Sequence, residues 1–412
     1  MISFEKFILP NGLRVIVNQD TSTPLAAVNL LYNIGSRDED PEHTGFAHLF
    51  EHLMFGGSQN IPEFDTPLQA TGGDSNAFTN ANITNYYISI PAKNIETAFW
   101  LESDRMLGLE FKKKNLDTQK AVVVEEFKQR FLNQPYGDEW LLMSPLAYKV
   151  HPYQWTSIGK DISHIEKATL AEVKDFFYSY YAPNNAILSI SGNISVQEVE
   201  KLAKKWFAGI PSRSIPERNI MPEPTQKKHN RLEVTRDVPY SAISMAWHMQ
   251  HRLHNDYYAS DLISDLLANG KSSRLYLNLV KGNELFGEIN AYITGDTDPG
   301  LLVITGKVKQ GINIYEAESA IWTELNKLSV EIPDAELEKV KNKVEAMHVI
   351  SEMNILNKAM NLASFECLGN AGWANQEIEK YRSVNQKQVT RVAKEIFRKE
   401  NCSVLFYHPM HK

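Results

Sequence analysis

The chain has 412 residues, too many for one ordinary hydrophobic core, so two or more domains are expected. Its 43% hydrophobic and 23% charged residues suit a globular protein, and no run of 18 or more apolar residues suggests a membrane span. A net charge of -7 without a dense Lys/Arg stripe argues against a nucleic-acid partner; short basic runs such as Lys112-Lys113-Lys114 read as solvated charges.

In chain order, the opening MISFEKFILPNGLRVIV reads as a strand, a turn at Pro10-Asn11-Gly12 and a second strand, not as a signal peptide. Strand patterns cover 12–17 and 26–34. An amphipathic helix follows at 44–54, with Thr44 as its expected N-cap. A strand at 85–90, long helices and a strand at 186–191 close the first half. Pro211, Pro216, Pro222 and Pro224 then mark an extended linker. Strands are expected again at 231–238 and 242–248, a helix at 256–267, strands at 288–294 and 301–307, further helices, and a last strand at 402–407. The expected division is 1–210, a linker at 211–229, and 230–412.

The second half repeats the first. His48-Leu-Phe-Glu51-His52-Leu-Met-Phe-Gly56 lies over Asp261-Leu-Ile-Ser264-Asp265-Leu-Leu-Ala-Asn269, keeping the apolar positions while the His and Glu residues change. Asp117-Thr-Gln-Lys lies over Asp334-Ala-Glu-Leu, which sets Lys343 opposite Glu126. A duplicated fold whose first half alone keeps a site is the simplest reading.

That site is the chemistry-bearing motif. On a helix, His48 and His52 are four apart and present two imidazoles to one metal ion, while Glu51 lies on nearly the same face as a base. The order H-x-x-E-H inverts the common zinc-protease motif and suits the same chemistry. A catalytic zinc needs a third protein ligand. The helix pattern at 116–130 carries Glu125 and Glu126, and from the residues alone either would serve. The cysteines Cys367 and Cys402 are far apart and lack metal-type spacing, so His and carboxylate must do the binding; so few cysteines suit a reducing compartment. His43 is read as a loop residue. The bland reading of the His pair is an ordinary helix surface.

The ordered motifs resemble those of the M16 metallopeptidases, the family of pitrilysin, insulin-degrading enzyme and the mitochondrial processing peptidase. They run from Leu9-Pro-Asn-Gly12-Leu-Arg-Val and Gly35-Ser-Arg-Asp-Glu39 through His48-Leu-Phe-Glu51-His52 and Gly73-Asp-Ser-Asn76-Ala77-Phe78-Thr79. Val122-Val-Val-Glu-Glu126, His151-Pro-Tyr153 and Tyr181-Ala-Pro-Asn184 continue the series. The resemblance implies two homologous α+β domains, each a mostly antiparallel sheet covered by helices. It also implies Zn2+ on His48, His52 and Glu126, with Glu51 as general base. Asn76, Ala77 and Phe78 match the edge strand that pairs with an extended peptide. Activity on peptides or unfolded segments in a closed chamber is implied, with a homologous partner subunit forming a homodimer or heterodimer. The expected location is cytoplasmic, with the periplasm left open; no nucleic acid and no membrane are expected as partners.

Two positions depart from the family pattern. Gln119 stands where many relatives have a supporting Glu. The strand Gly300-Leu-Leu-Val-Ile-Thr-Gly306 lacks the Arg of an Arg/Tyr pair that holds substrate, and Arg274-Leu-Tyr276 reads as a packing element. The expectation is therefore a zinc-bearing subunit that needs a partner; the alternative is a scaffold subunit.

Overall fold

The computed structural model describes residues 1–410. Two compact units are present. The first comprises 1–127, 155–220 and 348–376; the second comprises 128–154, 221–347 and 377–412.

The first unit is built on a six-stranded sheet of order β1-β2-β6-β3-β5-β4. Its strands are β1 (Glu5–Ile8), β2 (Arg14–Gln19), β3 (Leu25–Tyr32), β4 (Asp74–Thr79), β5 (Thr84–Pro91) and β6 (Ala186–Gly192). Only β2 and β6 run parallel. The central β3 and β6 are buried on both faces, so they read as unbroken apolar runs rather than alternating ones. One face receives helix α1 (Phe46–Leu53) and the helix Ile95–Leu107; Ile16, Leu31 and Ile187 on the other face meet the helix Ile355–Leu368.

The second unit repeats the plan with five strands, in the order β7-β11-β8-β10-β9. These are β7 (Asn230–Arg236), β8 (Ala242–His248), β9 (Phe286–Ile293), β10 (Leu301–Val308) and β11 (Cys402–Pro409). The register shows the duplication directly. In the parallel pair of the first sheet Arg14 faces Ile187, and in the second Asn230 faces Ser403; both residues move on by 216 (14 to 230, 187 to 403). The helix caps agree, since Thr169 and Asn385, also 216 apart (169 to 385), each cap the helix that follows. The fold is α+β in two homologous halves.

The strands of the two sheets fall on either side of 211–229, but the helices do not. Ile355–Leu368, from the second half, covers the first sheet, while Glu139–Ala147, from the first half, packs on β8 and β11. Local periodicity shows that a helix has an apolar face, not which sheet that face will cover. The Pro-rich stretch forms no helix or strand, yet it is pinned. Within the first unit Arg213 Nη1 donates to Tyr181 O at 2.7 Å and Arg218 pairs with Asp38. Within the second, the Glu223 carboxylate accepts the N–H groups of Lys149, Val150 and His151 at 2.8–2.9 Å. Among the described residues no helix is long and apolar enough to cross a membrane.

Candidate metal and peptide site

Helix α1 exists because its apolar residues recur at helical spacing: Phe46, Ala47, Leu49, Phe50 and Leu53 are buried. Phe50 anchors it, stacking on Phe176 and Tyr181 with ring centroids 5.1 Å away in each case. The residual stripe carries His48, Glu51 and His52.

The N-terminus of α1 differs from expectation. Thr44 does not cap it; the Thr44 hydroxyl instead accepts the N–H of Lys160 and pairs with His164 Nδ1 at 3.0 Å each. The N-cap is Gly45 at φ +90°, where a Cβ would lie 2.6 Å from Ile158 O, so only glycine fits. Two of the four orphan donors, Gly45 N–H and Ala47 N–H, are satisfied by the Glu39 carboxyl group at 2.9 and 2.8 Å. Burial pushes the Glu39 carboxyl up to about 8, against the pull of those two hydrogen bonds. Glu39 sits in the Gly35-Ser-Arg-Asp-Glu39 motif, which the sequence marked without assigning it a role.

The helix Lys113–Phe127 presents Glu126 to α1, buried through Leu116, Val123 and Phe127. Asn115 Nδ2 pins it to Gly56 O, just beyond α1, at 3.0 Å. One position along, Glu125 is exposed. The carboxylate Oε2 of Glu126 lies 3.6 Å from His48 Nε2 and 3.2 Å from His52 Nε2. Zinc–ligand bonds of about 2.0–2.1 Å at tetrahedral angles separate ligand atoms by roughly 3.3 Å, close to the two His–Glu126 spacings, and the three donor atoms lie within 4.8 Å of one another, so the group could hold a metal ion. Among the described residues this is the one His/Cys/Asp/Glu group with such convergence. Glu51 is half-buried on the same helix, and its charge adds to the burial that raises the phenols of Tyr86 and Tyr181. His43 stays outside the group, 3.3 Å from Glu172. Gln119 is half-buried beside Gly56, on the same helix two turns before Glu126.

Beside α1 runs β4, one of the two edge strands of the first sheet. The turn of the β4–β5 hairpin sets which backbone groups face outward. Asn80 N–H bonds Ile83 O, so counting back in twos Phe78 and Asn76 bond β5 while Ala77 faces the open edge. Ala77 N–H is met by the Asn76 side-chain oxygen at 2.8 Å. Ala77 lies opposite Tyr86, whose hydroxyl donates to Phe50 O of α1, so its side chain is on the α1 face of the sheet. Asn76 and Phe78 point to the other face.

The matching place in the second unit is closed by protein groups. Asp261 and Asp265, on the helix Tyr257–Ala268, stand where the histidines are. Lys343 Nζ donates to Asn269 O at 3.1 Å, and Asn269 in turn bonds Asp265. Tyr381 donates to Asp261, whose carboxyl burial pushes up to about 6. Arg274 is committed to Glu336 through two hydrogen bonds of 2.7–2.8 Å, which fits its reading as a packing residue.

The family model described as "Insulinase (Peptidase family M16)" matches residues 14–136, and "Peptidase M16 inactive domain" matches 167–344. The chain is 30% identical to "Zinc protease PqqE" of Helicobacter pylori over 98% of its length and 93% of the relative.

The chain belongs to peptidase family M16.

A crystal structure of a protease from Helicobacter pylori superposes with a TM-score of 0.93 at 29% identity, covering 99% of this chain and 100% of that one. A more distant M16 relative is "Probable mitochondrial-processing peptidase subunit beta, mitochondrial" of Arabidopsis thaliana, 23% identical over 82% of this chain and 65% of the relative. The names of these relatives associate the family with zinc and proteolysis.

Proposed function

We propose that the protein is a zinc-dependent endopeptidase acting on peptides or unfolded segments. The observation that carries the reading is the convergence of donor atoms of His48, His52 and Glu126 to within 4.8 Å of one another, with Glu51 on the same helix stripe. These three residues would hold the metal. Zinc, when bound, supplies Lewis acidity and makes water a usable nucleophile near neutral pH. Glu51 takes the proton of the attacking water and returns it to the nitrogen of the leaving amine. The peptide pairs as an added strand on β4, whose outward Ala77 backbone lies beside α1. Its entry requires the Asn76 side chain to release Ala77 N–H.

The chain works as the zinc-bearing subunit of a dimer that encloses the substrate. Two observations favour a partner: β10 carries no arginine, and Arg274 is held by Glu336. A relative whose name calls it a subunit is consistent with pairing. The test is cleavage of a quenched peptide library by the zinc-loaded chain, with chelator and with Glu51→Gln as controls. Chelator-sensitive cleavage that drops about 10²–10⁴-fold in the variant supports the peptidase reading, while full-rate cleavage by the chain alone refutes the need for a partner subunit. Zinc binding with no cleavage, alone or with co-purified M16 partners, leaves the scaffold role instead.

A further inference from the structure

We infer that Glu39 is a positioning residue for the metal centre: its carboxylate ties the start of α1 to the tip of the β4–β5 hairpin and so sets where His48, Glu51 and His52 stand relative to the edge strand. The inference rests on the zinc reading above and concerns how that site is held.

Both ends of the tie are visible. At one end the two carboxylate oxygens are divided between Gly45 N–H and Ala47 N–H, and Ala47 immediately precedes His48. At the other end the segment lies against the hairpin tip: Ser36 N–H bonds Asn80 O at 3.2 Å and Arg37 N–H bonds Ala81 O at 2.9 Å. Gly35 lies so close to the hairpin backbone that a Cβ would fall 2.5 Å from Ala81 O. Trp155 Nε1 clamps the segment from outside through Ser36 O at 2.8 Å. Asp38 closes the loop by accepting Gly35 N–H at 3.0 Å.

A helix needing only a satisfied N-terminus does not need this device. The helices beginning at Leu170, Val196, Ile314, Ile355 and Gln386 are each capped by the residue immediately before them: Thr169, Ser195, Asn313, Asn354 and Asn385. Those caps fix a helix only to the residue that directly precedes it. In α1 the cap is a carboxylate 6% exposed, carried by a segment bonded elsewhere. Burying a carboxyl group is costly unless it is well bonded, and here each of its two oxygens accepts a backbone N–H at the start of α1. The outcome is a rigid link between the helix that bears the metal ligands and the hairpin that offers the peptide edge. Displacing α1 by a fraction of an ångström would change donor convergence and the distance from Glu51 to a peptide on β4.

The test uses the full chain with Glu39→Gln, which keeps the shape but turns an NH2 toward one backbone donor. Zinc affinity is measured by chelator competition, and ligand geometry by the absorption spectrum of the cobalt-substituted protein. Zinc affinity is expected to weaken about 10-fold, in line with other residues that orient metal ligands, with a shifted cobalt spectrum. At saturating metal kcat falls while KM stays within about twofold, because the edge strand is intact. Ser195→Ala is the control: it removes the cap of Val196–Phe207 and lowers the melting temperature while leaving zinc affinity unchanged.

If Glu39→Gln does not fold, Glu39→Asp, which reaches one donor but not both, takes its place in the same measurements. A folded variant with wild-type zinc affinity and an unchanged cobalt spectrum overturns the inference. So does an equal loss of zinc affinity in Ser195→Ala, which would reduce Glu39 to a general stabiliser. Wild-type chain that binds no zinc refutes the site and the inference together. Wild-type chain that binds zinc but cleaves nothing, alone or with co-purified M16 partners, refutes only the peptidase reading, since the affinity and spectral comparisons still stand.

Discussion

Removing the metal should destabilise the first unit by an amount that can be calculated. A ligand that binds only the native state adds RT ln(1 + [L]/Kd), about 4.1 kcal/mol when free zinc is held at about 1,000 times Kd. The first unit contains about 220 residues, and an unfolding entropy of about 2.1 cal/mol/K per residue gives about 0.46 kcal/mol/K. Zinc should therefore raise the transition that carries this unit by about 9 °C. The second unit offers Asp261, Asp265 and Lys343 at the matching place, with Lys343 bonded to Asn269, so no second metal-dependent step is expected there. The assay is scanning calorimetry of chelator-stripped protein against protein in buffered zinc at that multiple of the measured Kd. His48→Ala, His52→Ala and Glu126→Ala should each abolish most of the shift. The reasoning fails if zinc leaves the transition within a degree of its stripped value, or if the shift survives in the doubly substituted His48→Ala/His52→Ala protein.

Three further outcomes follow from particular contacts. Glu126→Gln should weaken zinc binding at least 10-fold, whereas Glu125→Gln, altering an exposed neighbour, should leave it within about twofold; equal losses would show the wrong carboxylate has been chosen. Ala77→Pro removes an N–H that points away from β5, so the melting temperature should change little while KM for peptides rises about 10-fold; unchanged KM would remove β4 as the peptide edge. The Asp261 carboxyl titrates near 6 in the folded protein and near 3.8 unfolded, chiefly through burial, so between these values the unfolded state has lost the proton that the folded state keeps. Stability from this group therefore declines as pH rises from about 4 to 6, by on the order of 2–3 kcal/mol. Asp261→Asn should stabilise the second unit at pH 7.5 and not at pH 4; a gain of equal size at both pH values would contradict the assignment.

Some of this was legible in the linear chain for a simple physical reason: the relations involved are local. Four residues make just over one helical turn, so His48 and His52 share a face wherever α1 is placed, and Glu51 shares it too. The alternation and apolar runs that mark β3, β8 and β10 are equally local, and the repeat between the halves survives as apolar positions because both sheets need the same buried faces. The open edge at β4 belonged to the family resemblance, but which amide points outward depends on the turn at Asn80–Ile83, and thus on register.

Other features were decided only by folding. Glu126 lies 74 residues beyond His52 (52 to 126), and its preference over Glu125 is a matter of helix phase against α1, which no short window contains. Thr44 looked like a cap because its type and position were right, yet its hydroxyl found Lys160 and His164, and the donors of α1 went to Glu39. The helices Glu139–Ala147 and Ile355–Leu368 look alike as sequence, each an apolar stretch in its own half. Which sheet each would cover is settled by packing against strands far away in the chain, and not by either helix itself.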